Sequence, residues 1–360
     1  MKVVIAGGGT GGHLYPGIAI ARELLREDGN EVLFVGTNQG IEARVLPKEG
    51  LPVRFIPVGK LKGMHFFSIV KTIAMLPLNF FQALDILHEV GPDIVLGVGG
   101  YASGPVGMAA FMLKIPLIIV EPNSYAGFAN RKLAQLAKRV VLCYPGTSAR
   151  KFFSAKKTVT LGPLTRKGID QGDRTKTLRH FGLELGKFTV FVMGGSGGAH
   201  AINMAMMQAS GYLQSIRDLQ ILHQTGDKDI SVVTAGYQAA GIKAAVSQYI
   251  DDMAGAYAAA DLVIARSGAT SIAELAVCGK PAVLIPFPQA ADNHQEHNAR
   301  TLADRGSAEV ILQKDLTAEL LGKTIKKYAH KGVGNVIAAG MANTTAEQIV
   351  NICKSYVQKN

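Results

Sequence analysis

Four clusters of residues in this sequence have the types and spacing to do chemistry. The first is Gly7-Gly8-Gly9-Thr10-Gly11-Gly12-His13. A glycine loop of this kind lets backbone N–H groups approach an oxyanion, and the imidazole at its end is suited to proton transfer near neutrality. The second, Gly194-Gly195-Ser196-Gly197-Gly198, is another such loop with a hydroxyl added, which suits a diphosphate. The third is Arg266-Ser267-Gly268-Ala269-Thr270-Ser271, which offers donors to phosphate oxygens at a helix start. Glu274 follows on that helix and is spaced to reach a ribose diol. The fourth, Asp292-Asn293-His294-Gln295-Glu296-His297-Asn298, carries ligand-type side chains at helical spacing. His294 and His297 supply two metal ligands with no third fixed. Mixed donors and acceptors such as Gln295 suit sugar hydroxyls better, so no metal is expected.

These clusters need elements to hold them. Val3–Ala6 reads as a short buried strand before the first loop, and the apolar period from Leu14 to Leu25 as a helix after it. Further short apolar runs fall at Glu31–Val35, Val53–Pro57, Asp93–Val98, Pro116–Val120 and Val140–Cys143. Then come Phe188–Met193, Gln220–His223, Leu262–Ala265 and Ala282–Pro286. Apolar runs separated by helical stretches indicate parallel sheets covered on both faces, with ligands at the carboxyl ends of the strands. In the first half those ends carry Gly7–His13, Gly99–Ser103 and Glu121–Asn123. In the second half the strand, glycine loop and helix of the opening recur in architecture. The fold class is therefore α/β, with two doubly wound Rossmann-like domains. The expected divisions are 1–160, 161–335 and a closing amphipathic helix within 336–360, since Ser154–Thr160 lacks an apolar period and Leu161-Gly162-Pro163 reads as a turn.

Gly7, Gly9 and Gly12 satisfy G-x-G-x-x-G, the dinucleotide fingerprint. That fingerprint needs an acidic residue at the end of the second strand. Here the strand ends Phe34-Val35-Gly36-Thr37-Asn38, and Arg44 lies too far on to meet a 2′-phosphate. A dehydrogenase is disfavoured. A Walker A sequence is also absent, which argues against P-loop phosphoryl transfer.

The totals narrow the class further. The 360 residues are 48% hydrophobic and 18% charged, with a net charge of +11. Residues 1–160 hold 18 Lys/Arg against 10 Asp/Glu, and residues 161–360 hold 20 against 17. A basic first half suits an anionic partner such as a membrane surface. The three cysteines, Cys143, Cys278 and Cys353, show no CxxC spacing and read as buried small hydrophobes in a reducing compartment. The chain begins on a strand and holds no uncharged apolar run long enough to span a bilayer, so the expectation is a soluble or peripheral protein. Residues 60–88 mix Lys60, Lys62 and Lys71 with Met64, Phe66, Phe67, Phe80 and Phe81. An interfacial helix and a core-facing helix both fit that pattern.

Taken in order, Gly8-Gly9-Thr10-Gly11-Gly12-His13, Gly99-Gly100-Tyr101-x-Ser103-Gly104-Pro105, Gly194-Gly195-Ser196, Ile250-Asp251-Asp252-Met253 and Arg266-Ser267-Gly268-Ala269 resemble the MurG family. These are the bacterial UDP-GlcNAc:lipid I N-acetylglucosaminyltransferases of peptidoglycan synthesis, of the two-Rossmann GT-B type. The resemblance runs over essentially the whole chain and is weakest in 150–180, 225–245 and after 315. It implies two domains facing a cleft, with the last helix packing back on the first. It implies GlcNAc transfer from UDP-GlcNAc to the C4 hydroxyl of MurNAc in undecaprenyl-pyrophosphoryl-MurNAc-pentapeptide, without a cofactor. By position, His13 matches the catalytic histidine, and Glu121, on the acceptor side with Tyr101 and Asn123, is taken as a second catalytic candidate. Thr10, Gly11 and Gly12 match the loop facing the lipid diphosphate. Arg166 and Ser196 match donor diphosphate contacts, the backbone of Ile250 the uracil reader, and Gln295 a GlcNAc contact. Ala269, Thr270, Ser271 and Glu274 match the helix that meets phosphates and ribose, beside Arg266. The sequence departs from the family at Gly162-Pro163-Leu164-Thr165-Arg166, where Gly-Asn-Pro is usual before the arginine, and at Pro122 and Gly197, where Gln is usual. The implied setting is peripheral, on the cytoplasmic face of the membrane, with anionic lipid and other cell-wall synthesis proteins as partners and no nucleic acid. Two alternatives stay open: a related transferase with another lipid acceptor, such as a diacylglycerol, and a UDP-GlcNAc epimerase.

Overall fold

A computed structural model describes residues 1–57, 76–144, 151–331 and 344–357. The chain divides into two compact units, Met1–Arg166 with Ala342–Asn360, and Lys167–Met341. In the first unit seven strands are β1 (Lys2–Gly7), β2 (Glu31–Gly36), β3 (Val53–Phe55), β4 (Ile94–Gly99), β5 (Leu117–Glu121), β6 (Arg139–Leu142) and β7 (Thr158–Thr160). They form one sheet in the order β3-β2-β1-β4-β5-β6-β7, and each neighbouring pair is parallel. Val3, Val4, Ile5 and Ala6 of β1 are wholly buried, as a central strand covered on both faces requires.

The strand order explains where a ligand would go. From β1 the chain steps outward to β2 and β3, then returns past β1 to β4 and builds in the other direction. The connections leaving β1 and β4 therefore diverge, and the crevice at their carboxyl ends is the topological switch point. In the second unit β8 (Phe188–Met193), β9 (Leu219–Gln224), β10 (Ala244–Ser247), β11 (Leu262–Ala265), β12 (Ala282–Leu284) and β13 (Ala308–Val310) run in the order β10-β9-β8-β11-β12-β13, again all parallel. Its switch point lies between β8 and β11, at the second glycine loop and the Arg266–Ser271 run.

Three elements differ from the expectation. The edge strands β7, β10 and β13 are short and mostly half-buried, so they lack the apolar run that marks a central strand. β7 occupies the stretch expected to be a linker, and the first unit accordingly continues past residue 160 to Arg166. The closing helix, Thr345–Val357, belongs to the first unit. It packs on the helix Gly11–Leu24, buries Ile349, Val350 and Cys353, and donates from Lys354 Nζ to Glu27 at 2.5 Å.

Of the segment 60–88, residues 60–75 lie outside the described residues. The remainder falls on the helix Leu76–Val90, which buries Ala83 and Leu87 while Leu78 and Phe81 stand 50% and 60% exposed. Core packing and an exposed apolar face thus occupy opposite sides of one helix. Among the described residues, no helix is long and apolar enough to cross a membrane.

The ends of β1 and β4 are tied by one hydroxyl. Ser103, fully buried at the start of the helix Ser103–Met112, accepts from Gly99 N–H at 3.1 Å and donates to the Ala6 carbonyl at 2.8 Å. Ser103→Ala leaves a buried donor and a buried acceptor without this partner, and should lower stability by about 1–3 kcal/mol. Thermal and urea denaturation would measure it; an unchanged melting profile would show that the tie is dispensable.

Candidate active site

In the first unit the loop after β1 and the loop after β4 pass unusually close. A Cβ on Gly100 would collide with the Gly8 carbonyl oxygen, and Gly8 N–H donates to the Gly99 carbonyl at 3.3 Å. Gly100 also has φ +92°, a left-handed conformation that suits glycine. Thr10 then caps the helix Gly11–Leu24 through its backbone: its carbonyl accepts from His13 N–H at 3.2 Å and Leu14 N–H at 3.1 Å. Its hydroxyl lies 3.3 Å from His13 Nδ1. Gly11 and Gly12 form the first helical turn, and a Cβ on Gly11 would touch the Tyr15 ring at 3.3 Å. The imidazole of His13 lies against Gly99, where a Cβ would come within 2.9 Å of Nε2. A side chain at residue 99 would collide with that edge of the ring, so glycine is what lets the imidazole lie there. Tyr101 lies over Gly9, 3.5 Å from its Cβ position. The fold therefore brings Thr10, Gly11, Gly12, His13 and Tyr101 together at one switch point.

Glu121 ends β5 and is completely buried. Its Oε1 accepts from Asn123 N–H at 3.0 Å and Asn123 Nδ2 at 3.1 Å; its Oε2 accepts from Gly127 N–H and Asn130 Nδ2, both at 2.9 Å. Burial raises its pKa, and the four hydrogen bonds oppose that rise. A buried carboxylate surrounded by donors from its own loop is built to hold that loop. Glu121, the second catalytic candidate, thus lies at the end of β5 tied to Asn123, Gly127 and Asn130. Asn130 was not apparent from the sequence, since it lies in the helix Phe128–Leu133 with no motif around it. Its Nδ2 is also 3.5 Å from the Cβ position of Gly99, beside His13.

Arg166 falls in the first unit, with its guanidinium 5.2 Å from the Tyr15 ring centroid. The first loop also departs from a simple phosphate cradle, because Gly9 N–H is already donated to Glu42 at 2.7 Å. An acid does stand near the end of β2 after all, supplied by Glu42 from the following helix, Glu42–Lys48, and consumed internally.

The second unit repeats the scheme with different partners. Ser196 is half-buried in the loop after β8, which is pressed against the end of β9; a Cβ on Gly198 would collide with the Thr225 carbonyl. Gln224 bridges this loop to the next strand end, donating from Nε2 to the Gly195 carbonyl at 2.9 Å and accepting from Ile250 N–H at 2.9 Å. The N–H of Ile250 is therefore already engaged by Gln224, a residue the sequence did not single out. Beneath lies a polar chain: His200 Nδ1 is 2.9 Å from Asp229, Asn203 Nδ2 donates to Asp229 at 2.8 Å, and His223 lies between Asn203 and the Tyr237 hydroxyl. Burial pulls the His223 pKa down to about 3, so it is a neutral structural histidine.

The helix Ala269–Cys278 starts at Gly268 and presents Ala269, Thr270 and Ser271 in its first turn. Glu274 is 2% exposed, not on a solvated face, and accepts from the Tyr257 hydroxyl at 3.0 Å. Arg266 follows β11 and is 9% exposed. Its Nη1 donates to the Ile285 and Pro286 carbonyls, both at 3.1 Å, its Nη2 to Gln313 Oε1 at 2.6 Å, and burial lowers its pKa to about 10. The guanidinium thus holds the chain beyond β12. Ser267 Oγ donates to the Gln295 carbonyl at 2.8 Å, and Gln295 Oε1 accepts from Phe287 N–H at 2.9 Å. Gln295 is thereby held beside the Ser267–Ala269 turn. His294 Nδ1 lies 2.7 Å from the Ala291 carbonyl, and no three metal-ligating side chains converge among the described residues.

The chain matches the N-terminal domain of glycosyltransferase family 28 over residues 3–142 and the C-terminal domain of the same family over residues 189–353. It is 48% identical over 330 residues to a Myxococcus xanthus protein named UDP-N-acetylglucosamine–N-acetylmuramyl-(pentapeptide) pyrophosphoryl-undecaprenol N-acetylglucosamine transferase, covering 91% of this chain and 84% of that one. A protein of the same name from Anaeromyxobacter dehalogenans is 42% identical, covering 100% and 94%. Among solved structures, Acinetobacter baumannii MurG superposes with a TM-score of 0.75 at 30% identity, covering 98% of this chain and 99% of that one. The chain belongs to glycosyltransferase family 28, and within it to the MurG family.

Proposed function

We propose that this protein transfers GlcNAc from UDP-GlcNAc to the C4 hydroxyl of MurNAc in undecaprenyl-pyrophosphoryl-MurNAc-pentapeptide, with inversion at C1. The likeness to the named transferases supports the donor and the acceptor. The observation that carries the mechanism is the placement of His13 at the switch point of the first sheet, with Nδ1 beside Thr10 and Nε2 against Gly99.

In this reading the acceptor hydroxyl attacks C1 of the donor sugar. The new C4–O–C1 bond forms as the bond from C1 to the UDP oxygen breaks, and the hydroxyl proton passes to His13. The Thr10 hydroxyl beside Nδ1 orients the ring, and a base of this kind contributes a factor of about 10²–10⁴. Tyr101 and Asn123 flank the acceptor. The second unit holds UDP: backbone donors of the Gly194–Gly198 loop and the first turn Ala269–Ser271 meet the charge gathering on the leaving diphosphate. Glu274 takes the ribose hydroxyls, Gln295 a GlcNAc hydroxyl, and the Ile250 backbone the uracil. Because Gln224 already engages Ile250 N–H, uracil would either use the Ile250 carbonyl or displace that amide.

The acceptor is lipid-linked, and the first unit has a surface suited to a bilayer. Leu78 and Phe81 on one helix, and Met108, Phe111 and Met112 on the adjacent helix, are 50–64% exposed. Together with the basic surplus of residues 1–160, this apolar set supports peripheral docking on anionic lipid.

His13→Ala should lower kcat by about 10²–10⁴-fold and leave calorimetric UDP-GlcNAc affinity unchanged; a variant with normal turnover would remove the base assignment. Glu274→Ala should raise the donor KM about ten- to a hundredfold with a smaller effect on kcat, and an unaltered donor KM would dismiss the ribose contact. Replacing Phe81 and Phe111 together by Ser should weaken co-sedimentation with cardiolipin vesicles about tenfold or more. Equal binding by the double variant, or binding indifferent to cardiolipin, would count against this docking face.

A further inference from the structure

We infer that Glu42 is a positioning residue for the transfer: its buried carboxylate is an internal anion that fills the donor pocket of the first glycine loop and so holds His13 in place. This rests on the assignment of His13 as the base.

Glu42 has no solvent exposure. Its Oε2 accepts from Gly9 N–H at 2.7 Å, while its Oε1 accepts from Thr37 N–H at 2.8 Å and the Thr37 hydroxyl at 2.9 Å. Gly9 follows β1 and Thr37 follows β2, so one carboxylate joins the carboxyl ends of two neighbouring strands. The room for it comes from missing side chains. A Cβ on Gly8 or Gly40 would overlap the carboxylate, and one on Gly36 would stand 2.6 Å from Glu42 Cγ. Gly8, Gly36 at the end of β2 and Gly40 leave a hole the size of a carboxylate, and Glu42 fills it.

A glycine loop at a strand end usually offers its N–H groups to an anion from outside. Here the chain supplies the anion itself. Gly9 N–H is not available to a phosphate oxygen, and the negative charge behind the loop disfavours one. A buried carboxylate held by neutral donors is a weak source of stability. What the arrangement does supply is loop geometry. Gly9 leads directly into Thr10, whose carbonyl receives His13 N–H and whose hydroxyl faces Nδ1. With Gly9 anchored, Thr10 is anchored, and the imidazole keeps its orientation against Thr10 and Gly99.

Glu42→Gln is the sharpest test. It keeps the volume, and its amide oxygen can keep the two Thr37 donors, but its NH₂ group then meets Gly9 N–H, donor against donor. The expected result is a kcat per folded molecule lower by about ten- to a hundredfold. The donor KM and calorimetric UDP affinity should stay at wild-type values, because the nucleotide is held by the second unit. The pH profile of kcat should also change, since the base then loses the fixed Thr10 contact at Nδ1. Glu42→Asp keeps the charge but withdraws it from Gly9, and should fall between; it carries the test if thermal melting shows the Gln variant to be poorly folded. Wild-type kcat per folded molecule, or a reduced kcat with an unmoved pH profile, would overturn the proposal. His13→Ala measured alongside separates the two readings. An inactive His13→Ala with wild-type Glu42 variants sinks the role of Glu42 alone. A His13→Ala enzyme that turns over normally sinks the base assignment, and the role of Glu42 with it.

Discussion

The close approach of two loops at the ends of β1 and β4 is the constraint on which the first unit depends. Gly8 and Gly100 touch backbone to backbone, and no side chain fits at Gly100 without parting them. Ser103 joins the same two strand ends from below through Gly99 N–H and the Ala6 carbonyl. His13 rests on the surface these contacts make. The packing of an all-parallel sheet thus fixes where an imidazole stands, through steps that can each be named: a buried strand, a glycine contact, a helix cap and a ring against Gly99.

The second unit has the same topology and a different use of it. Its switch-point loop is pressed onto Thr225, crossed by Gln224 and supported by the neutral His223 network. In the first unit a carboxylate occupies the N–H donor at Gly9; in the second the bridging group is a neutral amide. The two glycine loops look alike in composition, yet a negative charge inside one and a neutral amide beside the other suit them to different ligands. In the proposed reaction that difference sends the nucleotide to the second unit and leaves the first for the acceptor.

Much of the fold was legible in the sequence because central parallel strands are buried on both faces, so Val3–Ala6 and Phe188–Met193 stand out as apolar runs. The edge strands Thr158–Thr160 and Ala308–Val310 were not legible, because a half-buried three-residue strand has no run to detect. The clusters at both switch points were legible, since glycine and polar residues concentrate there. Residue type marks Arg266 as a donor to phosphate oxygens, while its bonds to the carbonyls beyond β12 arise only in the fold. The donors that surround Glu121, from Asn123, Gly127 and Asn130, likewise come together only in the fold. Glu42 was out of reach because its partners, Gly9 and Thr37, and its room, from Gly8, Gly36 and Gly40, come together only in the fold. The spacing of Gly36, Gly40 and Glu42 was the one trace of it in the sequence.

In the proposed reaction the histidine of the first unit serves an acceptor hydroxyl while the second unit carries UDP-GlcNAc. The most direct measurement is UDP release from UDP-GlcNAc with and without an undecaprenyl-pyrophosphoryl-MurNAc-pentapeptide analogue. Rapid UDP release is expected only when the acceptor is present, with GlcNAc appearing in β linkage at its C4 hydroxyl. Acceptor-independent conversion of UDP-GlcNAc, or transfer to a diacylglycerol in preference to that analogue, would contradict it.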